Sequence, residues 1–238
     1  MIKKESWKKI ALVSVFAIAM AFLEAVFVVY LRKLFYPAGF GFPAVFPLDP
    51  FIYTLELFRE FATIVMLACI GWLAGRKFYE KLAYFLYSFA IWDIFYYVFL
   101  KVTIDWPSSL LTWDTLFLIP IQWVGPVLAP VLVSFTMIAL AILIIRFSEK
   151  KKAVYLNAKE KCMIIAGYVI ILYTFLYDYS HLIIEGGFLS NLVNLLHDPR
   201  FHDVMMTYVP IKYNWVLFAG GEIMALLGII SFYERYKK

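Results

Sequence analysis

Eight ionisable side chains of this sequence lie within apolar stretches that are long enough to cross a lipid bilayer. A charge at the centre of a membrane costs at least about 2.5–3.5 kcal/mol on insertion scales, so such groups persist mainly where they face the protein interior. There they can bind a cation, relay protons or act as general acids and bases. They are Glu24, Glu56, Arg59, Glu60, Asp93, Asp178, His181 and Glu222.

The sharpest local pattern is the series Glu56, Arg59, Glu60 and Thr63 in the second apolar stretch. Spacings of three and four residues place all four side chains on one face of a helix. We therefore expect the Arg59 guanidinium to bind both neighbouring carboxylates. Two acids and one base are more charge than packing requires, so the pattern favours a role in a binding site over a purely structural ion pair.

Two further acids have no ionic partner nearby in the sequence. Asp93 shares its helix face with Tyr96 and Tyr97, so we expect a tyrosine hydroxyl to donate a hydrogen bond to it. Such an acid is a candidate for a proton relay or for a structural hydrogen bond. Glu222 follows a pair of glycines at 220–221, which allow either the close approach of a neighbouring helix or a local break in the helix. Either arrangement keeps the acid inside the bundle. Glu222 is thus the strongest single candidate for proton or cation coupling.

The fifth apolar stretch carries a carboxylate, an imidazole and a second carboxylate on one helix face. Asp178, His181 and Glu185 are spaced by three and then four residues, and side chains of these types can ligate a metal ion or pass a proton. A single helical histidine is more often a hydrogen-bonded core residue, so metal binding is the less favoured interpretation. The sequence contains no cofactor-binding motif. A metal ion at Asp178, His181 and Glu185 is the only cofactor that it leaves possible.

The composition defines the architecture that positions these residues. The chain is 64% hydrophobic and 16% charged, against roughly 45–50% and 25% for a soluble domain. The apolar stretches reach the roughly 20 residues that a membrane helix needs and lack the alternation of a membrane strand. We predict an all-α bundle of about six transmembrane helices in a single domain, residues 1–238, with spans at 10–31, 52–74, 82–101, 115–146, 162–184 and 212–233.

Prolines interrupt the fourth predicted span. Pro120, Pro126 and Pro130 free backbone carbonyls from their helical partners, which predicts a kink in the outer half of this helix. Freed carbonyls at membrane depth need partners, so we expect this stretch, with Gln122, to face the bundle interior. The prolines and glycines of residues 35–51 predict an irregular apolar lid across the outer surface.

Basic residues are concentrated on one side of the predicted spans. Sixteen of the 22 lysines and arginines lie in the segments on the side of both termini, and five lie in the outer segments. The positive-inside rule therefore predicts both termini in the cytoplasm and the chain in a membrane, most simply the prokaryotic cytoplasmic membrane. The net charge of +5 arises from these residues and not from a basic domain, so no nucleic-acid partner is expected.

The depths of the charged residues suggest that they meet. With a rise of about 1.5 Å per residue, the acids of five helices fall in one band between mid-membrane and the outer surface, which predicts one polar cavity. An acid-rich lining favours cations, so the leading hypothesis is a transporter for a cation or a proton-coupled small solute, working alone or as a homodimer. A membrane enzyme acting on a lipid or isoprenoid by carboxylate and histidine chemistry stays open, as does a structural subunit of a larger membrane complex. No catalytic residue is identified.

Overall fold

The computed structural model describes residues 3–37, 39–43, 50–151, 153–189, 195 and 198–237. Within them, six helices are long and apolar enough to cross a membrane, which confirms the predicted all-α membrane bundle. The elements are α1 (Lys4–Phe35), α2 (Pro50–Ala74), α3 (Phe78–Ile104), β1 (Trp113–Phe117), β2 (Trp123–Pro126), α4 (Leu128–Ser148), α5 (Ala158–Glu185), α6 (Pro199–Thr207) and α7 (Trp215–Lys237). The short helix α6 is the one that is not a candidate span.

The long helices alternate in direction, so one end of the bundle carries both ends of the described chain. At this end, which we call the termini end, the backbone N–H of Lys3 donates to the Glu149 carboxylate at 2.8 Å. Arg235 near the end of α7 binds Glu160 in the first turn of α5 at 2.7 Å. The opposite end carries the two strands and is called the hairpin end.

The bundle consists of two packed groups of helices. Helices α1, α2 and α4 pack against α3, whereas α5 packs mainly against α7. Helices α5 and α7 approach closely at Gly221. A Cβ atom added there would lie only 2.8 Å from the Gly167 carbonyl oxygen. The expected close approach at the glycine pair 220–221 is therefore confirmed at Gly221, while a Cβ at Gly220 would meet open space.

The fourth span is shorter than predicted, and the expected kinked helix over residues 115–146 is wrong in its first part. The chain here forms an antiparallel hairpin in which Thr115 pairs with Val124, and α4 begins only at Leu128. Pro120 has no amide hydrogen and its ring blocks a helix, whereas the aromatic and β-branched residues around it suit strands. Apolar composition by itself does not distinguish a helix from a β-hairpin in this segment. Pro130 lies in the first turn of α4, where proline is tolerated.

The hairpin enters the bundle and does not lie on its surface. Phe117 and Trp123 pack into a cluster with Ala17 of α1 and Leu67 of α2, and Trp123 stacks on Phe175 of α5 with ring centroids 6.2 Å apart. Non-helical backbone at membrane depth is tolerated where protein surrounds it. The hairpin thus fills the space between the α1–α4 group and the α5–α7 pair.

The predicted lid is described only in part. Phe40 lies edge-on to Trp106 at 5.7 Å, and Phe42 lies edge-on to Tyr208 at 6.2 Å. The described part of the lid therefore packs on the loops and on the residue that follows α6 at the hairpin end. Residues 44–49 of the predicted lid lie outside the described residues.

Candidate functional site

A polar cavity lies at the hairpin end between α1, α2, α3 and β1. Five carboxyl groups and two guanidinium groups line it, and we call it the acidic cavity: Glu24, Glu56, Glu60, Asp93 and Asp114 with Arg32 and Arg59. All of these except Asp93 and Arg59 are buried residues, and those two are partly buried. The cavity volume of about 80 Å³ has room for a few water molecules or one small ion.

Arg59 is held between carboxylates from two helices. Its Nε and Nη2 atoms lie 2.8 and 2.6 Å from the Glu56 carboxylate oxygen Oε2, and its Nη1 atom contacts the carboxylate of Glu24 on α1. Glu24 also accepts a hydrogen bond of 3.1 Å from the hydroxyl of Thr63. The prediction that Arg59 binds both neighbouring acids is right for Glu56 and wrong for Glu60, because α1 supplies a competing carboxylate.

Glu60 is hydrogen-bonded to the hairpin, and its carboxylate is more than 4.0 Å from the Arg59 nitrogens. Its Oε2 atom accepts a hydrogen bond of 2.8 Å from the backbone N–H of Leu118, the residue after β1. Among the described residues, no lysine or arginine nitrogen lies within 4.0 Å of this carboxylate. Within the described part of the chain, the acid therefore has a neutral donor but no ionic partner within 4.0 Å.

Asp93 has a similar environment on α3. The hydroxyl of Ser134 on α4 donates to Asp93 Oδ2 at 2.9 Å, whereas the expected donor was Tyr96 or Tyr97. Both tyrosines line the acidic cavity beside Asp93. In the part of the chain that the structure describes, Asp93 also lacks a lysine or arginine nitrogen within 4.0 Å.

Arg32 and Asp114 form an ion pair that the sequence analysis missed. The Arg32 Nη2 atom lies 3.1 Å from Asp114 Oδ1, and the guanidinium lies over the rings of Trp106 and Phe40 at 3.7 and 4.2 Å from their centroids. Arg32 is far from Asp114 in sequence and resembles an ordinary basic residue after a span. Burial raises the pKa of Asp114 to about 6, although the Arg32 charge acts to lower it.

The acidic cavity holds more carboxyl groups than guanidinium groups. Three carboxylates pair with two guanidiniums, and Glu60 and Asp93 bring two further carboxyl groups that receive only neutral hydrogen bonds. Uncompensated carboxylates are costly away from bulk water. The cavity therefore favours bound protons or a bound cation.

Four other predicted site residues lie elsewhere. Gln122 lines a neighbouring cavity beyond the hairpin turn. Asp178 accepts a hydrogen bond of 2.5 Å from the Tyr208 hydroxyl, and Glu222 accepts one of 2.8 Å from the Thr136 hydroxyl on α4. The fourth is His181 on α5. The expected convergence into one cavity thus holds for the acids of α1, α2 and α3 and fails for those of α5 and α7. The hairpin packs against α5, and Glu222 of α7 is bonded to α4.

The suggested metal ligands do not assemble either. His181 Nδ1 lies 2.9 Å from Glu185 Oε2, and both side chains are about half exposed or more. Asp178, the third proposed ligand, is engaged with Tyr208. No group of three histidine, cysteine or acidic side chains is placed to hold a metal ion anywhere in the described ranges.

The acid-rich lining of the cavity does not come from a single sequence motif. Glu24, Arg59 and Asp114 come from three separate elements, and only their arrangement in space produces a buried, acid-rich site. Function must be inferred from this arrangement itself. Comparisons of the chain with known protein families, curated proteins and solved structures gave no match.

Proposed function

We propose that this multi-pass membrane protein binds a small cation or protons in the acidic cavity and uses this binding to move a cation or a proton-coupled solute across the membrane. The observation that carries the proposal is the pair of carboxyl groups, Glu60 and Asp93, that lack an ionic partner among the described residues. In a site with little water, a proton or a cation is the simplest way to balance their charge.

The hairpin supplies the barrier that such a function needs. Its strand β1 lines the acidic cavity, and the Arg32–Asp114 ion pair links β1 to the end of α1. A solute larger than a small ion cannot fit the cavity as it stands, given its volume of about 80 Å³. In this proposal the hairpin must move away from α1 and α2 to admit a solute from the hairpin end.

We also propose that both termini lie in the cytoplasm and that the hairpin end faces outward. The support is the distribution of charge, because sixteen of the 22 basic residues lie on the termini side of the spans. The acidic cavity would then open to the extracytoplasmic side of a cytoplasmic membrane.

The test is ion flux in proteoliposomes. Proton movement is followed with an entrapped pH dye and uptake with Na⁺, K⁺ and methylammonium, for the wild type and for Glu60→Gln and Asp93→Asn. The matched control is Glu222→Gln, which neutralises a buried acid that is outside the cavity. We expect at least about a tenfold loss of flux for the two cavity variants, corresponding to about 1.4 kcal/mol, and little change for the control.

Two results would contradict the proposal. One is the absence of flux of protons and of every cation with the wild type under an imposed gradient. The other is an equal flux in all four proteins. In either case the surplus carboxyl groups would be structural acids held protonated by their surroundings.

The enzyme hypothesis has less support from the described residues. His181 and Glu185 form a solvent-exposed pair on α5, and no histidine is among the described residues that line the acidic cavity. The buried carboxyl groups therefore have no described histidine beside them for acid–base chemistry.

A further inference from the structure

Four exposed lysines lie together at the termini end of the bundle. Lys150 and Lys151 follow the end of α4, and Lys159 and Lys161 lie at the start of α5. No carboxylate of the described residues lies within 4.0 Å of their ammonium nitrogens. We call these four residues the basic patch.

The end of α7 brings the two pairs of lysines together. The ring of Phe147, the residue before the last of α4, stacks on Tyr236 with centroids 5.4 Å apart. In the loop between α4 and α5, the backbone N–H of Tyr155 donates to the Tyr236 hydroxyl at 3.0 Å. Arg235 binds Glu160 in the first turn of α5 at 2.7 Å. The end of α4, the loop and the start of α5 therefore all pack on the same end of α7.

The acidic residues of these segments are already engaged. Glu160 is fully buried, and Arg235 balances its charge. Glu234 pairs with a lysine three residues further along α7 at 3.9 Å. Glu149 accepts hydrogen bonds of 2.8 and 3.0 Å from the backbone N–H of Lys3. Four lysines against at most one unpaired acid repel one another, so the basic patch favours a bound anion.

Basic residues on the α1–α3 side of the termini end have partners within the protein. Arg76 pairs with Glu5 at 3.5 Å, and the Nζ atom of Lys9 donates to a backbone carbonyl oxygen at the end of α2 at 3.0 Å. The Nζ atom of Lys81 lies 3.2 Å from the ring centroid of Trp72. The positive-inside rule explains why lysines are frequent at this end. It does not explain why four of them converge on one surface without such partners.

The basic patch borders two membrane spans directly. It begins two residues after the last residue of α4 and ends at the fourth residue of α5. Tyr155, between the two pairs of lysines, is 52% exposed, and tyrosine is enriched at the boundary between membrane and water. In a bilayer the patch therefore lies at the level of the lipid headgroups.

We propose that the basic patch binds the headgroups of anionic phospholipids in the leaflet at the termini end. Ammonium groups form charge-assisted hydrogen bonds with phosphate oxygens, and lysines next to a span are attracted to an anionic leaflet. A zwitterionic headgroup has no net charge with which to balance the patch. The proposal depends on the six-helix membrane fold and not on transport through the acidic cavity.

The test measures which lipids stay bound to the purified full chain. The protein in detergent micelles is mixed with equal amounts of phosphatidylglycerol and phosphatidylcholine that carry the same acyl chains, and mass spectrometry of the intact complexes gives the ratio of the two bound lipids. We expect about fivefold more phosphatidylglycerol on the wild type, since one lysine near an anionic lipid contributes about 1 kcal/mol. The ratio should fall as the concentration of ammonium acetate rises, because salt screens exposed charges.

Two sets of substitutions test the location. The basic patch is neutralised by Lys150→Gln, Lys151→Gln, Lys159→Gln and Lys161→Gln together. The control neutralises four exposed lysines outside the patch: Lys4→Gln, Lys8→Gln, Lys33→Gln and Lys212→Gln. We expect the patch variant to bind the two lipids about equally and the control to retain most of the preference. Equal binding of both lipids by the wild type, or an equal loss in the two variants, would overturn the proposal.

A soluble anion is the alternative occupant. Glycerol phosphate presents the same phosphate chemistry without acyl chains, so a hundredfold excess over lipid should leave phosphatidylglycerol bound. Its displacement would indicate a site for a soluble phosphate and would overturn the assignment to lipid. None of these measurements involves ion flux, so failure of lipid binding and failure of the proposed transport are separate outcomes.

Discussion

Glu60 in the middle of α2 and Leu118 in the hairpin are joined by a hydrogen bond of 2.8 Å, in which the Leu118 backbone N–H donates to the Glu60 carboxylate. The bond crosses from a membrane helix to a non-helical segment inserted among the helices. It satisfies a backbone group that has no strand partner, and it holds the carboxylate at the hairpin, outside ion-pair distance of Arg59. One side chain therefore contributes both to the position of the hairpin and to the charge of the acidic cavity.

These two contributions of Glu60 can be separated by a pair of substitutions. Glu60→Gln retains an acceptor oxygen for the Leu118 N–H, so its unfolding free energy should stay within about 1 kcal/mol of the wild type. Glu60→Leu leaves the N–H buried and unpaired, which should cost about 1–3 kcal/mol. Reversible unfolding in mixed micelles measures both values. An equal loss in the two variants would mean that the bond does not contribute to stability.

Asp114 should make stability depend on pH. Burial raises its pKa to about 6 in the folded protein, above the ordinary value of about 3.9, so the folded state holds the proton more tightly than the unfolded chain does. The stabilisation is complete below about pH 4 and is lost as the pH rises through about 6. Melting temperatures measured from pH 4 to 7 should fall in the wild type.

Two variants identify Asp114 as one source of this slope. Asp114→Asn should make the decline between pH 4 and 6 less steep, since Asp114 no longer releases a proton there, while the other carboxyl groups of the acidic cavity keep their share. Asp105→Asn is the control, because Asp105 is exposed and its pKa is lowered by Lys101 at 2.7 Å. If the Asp114→Asn protein retained the full slope, another group would be responsible.

Adjacent glycines on α7 should respond differently to alanine. A Cβ atom at Gly221 would lie 2.8 Å from both the Gly167 carbonyl oxygen and the Ile171 side chain, whereas one at Gly220 would meet nothing within 4 Å. Gly221→Ala should therefore destabilise the protein by about 1–3 kcal/mol through separation of α5 and α7. Gly220→Ala should be neutral or slightly stabilising, because alanine favours helix by up to about 1 kcal/mol. The same unfolding assay compares them, and equal effects would argue against close packing at Gly221.

The proposed orientation predicts which loops are accessible from outside the cell. In a background with Cys69 and Cys162 replaced by alanine, Ser108→Cys reports on the hairpin end and Lys150→Cys on the termini end. A membrane-impermeant maleimide should label Ser108→Cys in intact cells and Lys150→Cys only after lysis. The reverse pattern would invert the topology and would open the acidic cavity to the cytoplasm.

The sequence by itself determined that the chain forms six membrane helices. Stretches of about 20 apolar residues have no favourable place other than lipid, and their backbone must then be helical, so length and composition decide the outcome. The same logic identified the buried acids as exceptional. It also placed Glu56 beside Arg59, because a spacing of three residues on a helix is a local geometric fact.

Only the tertiary structure decided which of these groups meet. Arg59 pairs with Glu24, and Arg32 with Asp114, because α1 lies beside α2 and the hairpin; no local rule indicates such partners. Glu222 meets Thr136 of α4 and is not among the residues that line the acidic cavity. The apolar pattern of residues 115–127 also could not distinguish the hairpin from a helix. Local spacing fixes which side chains share a face, but the packing of distant segments determines what each face contacts.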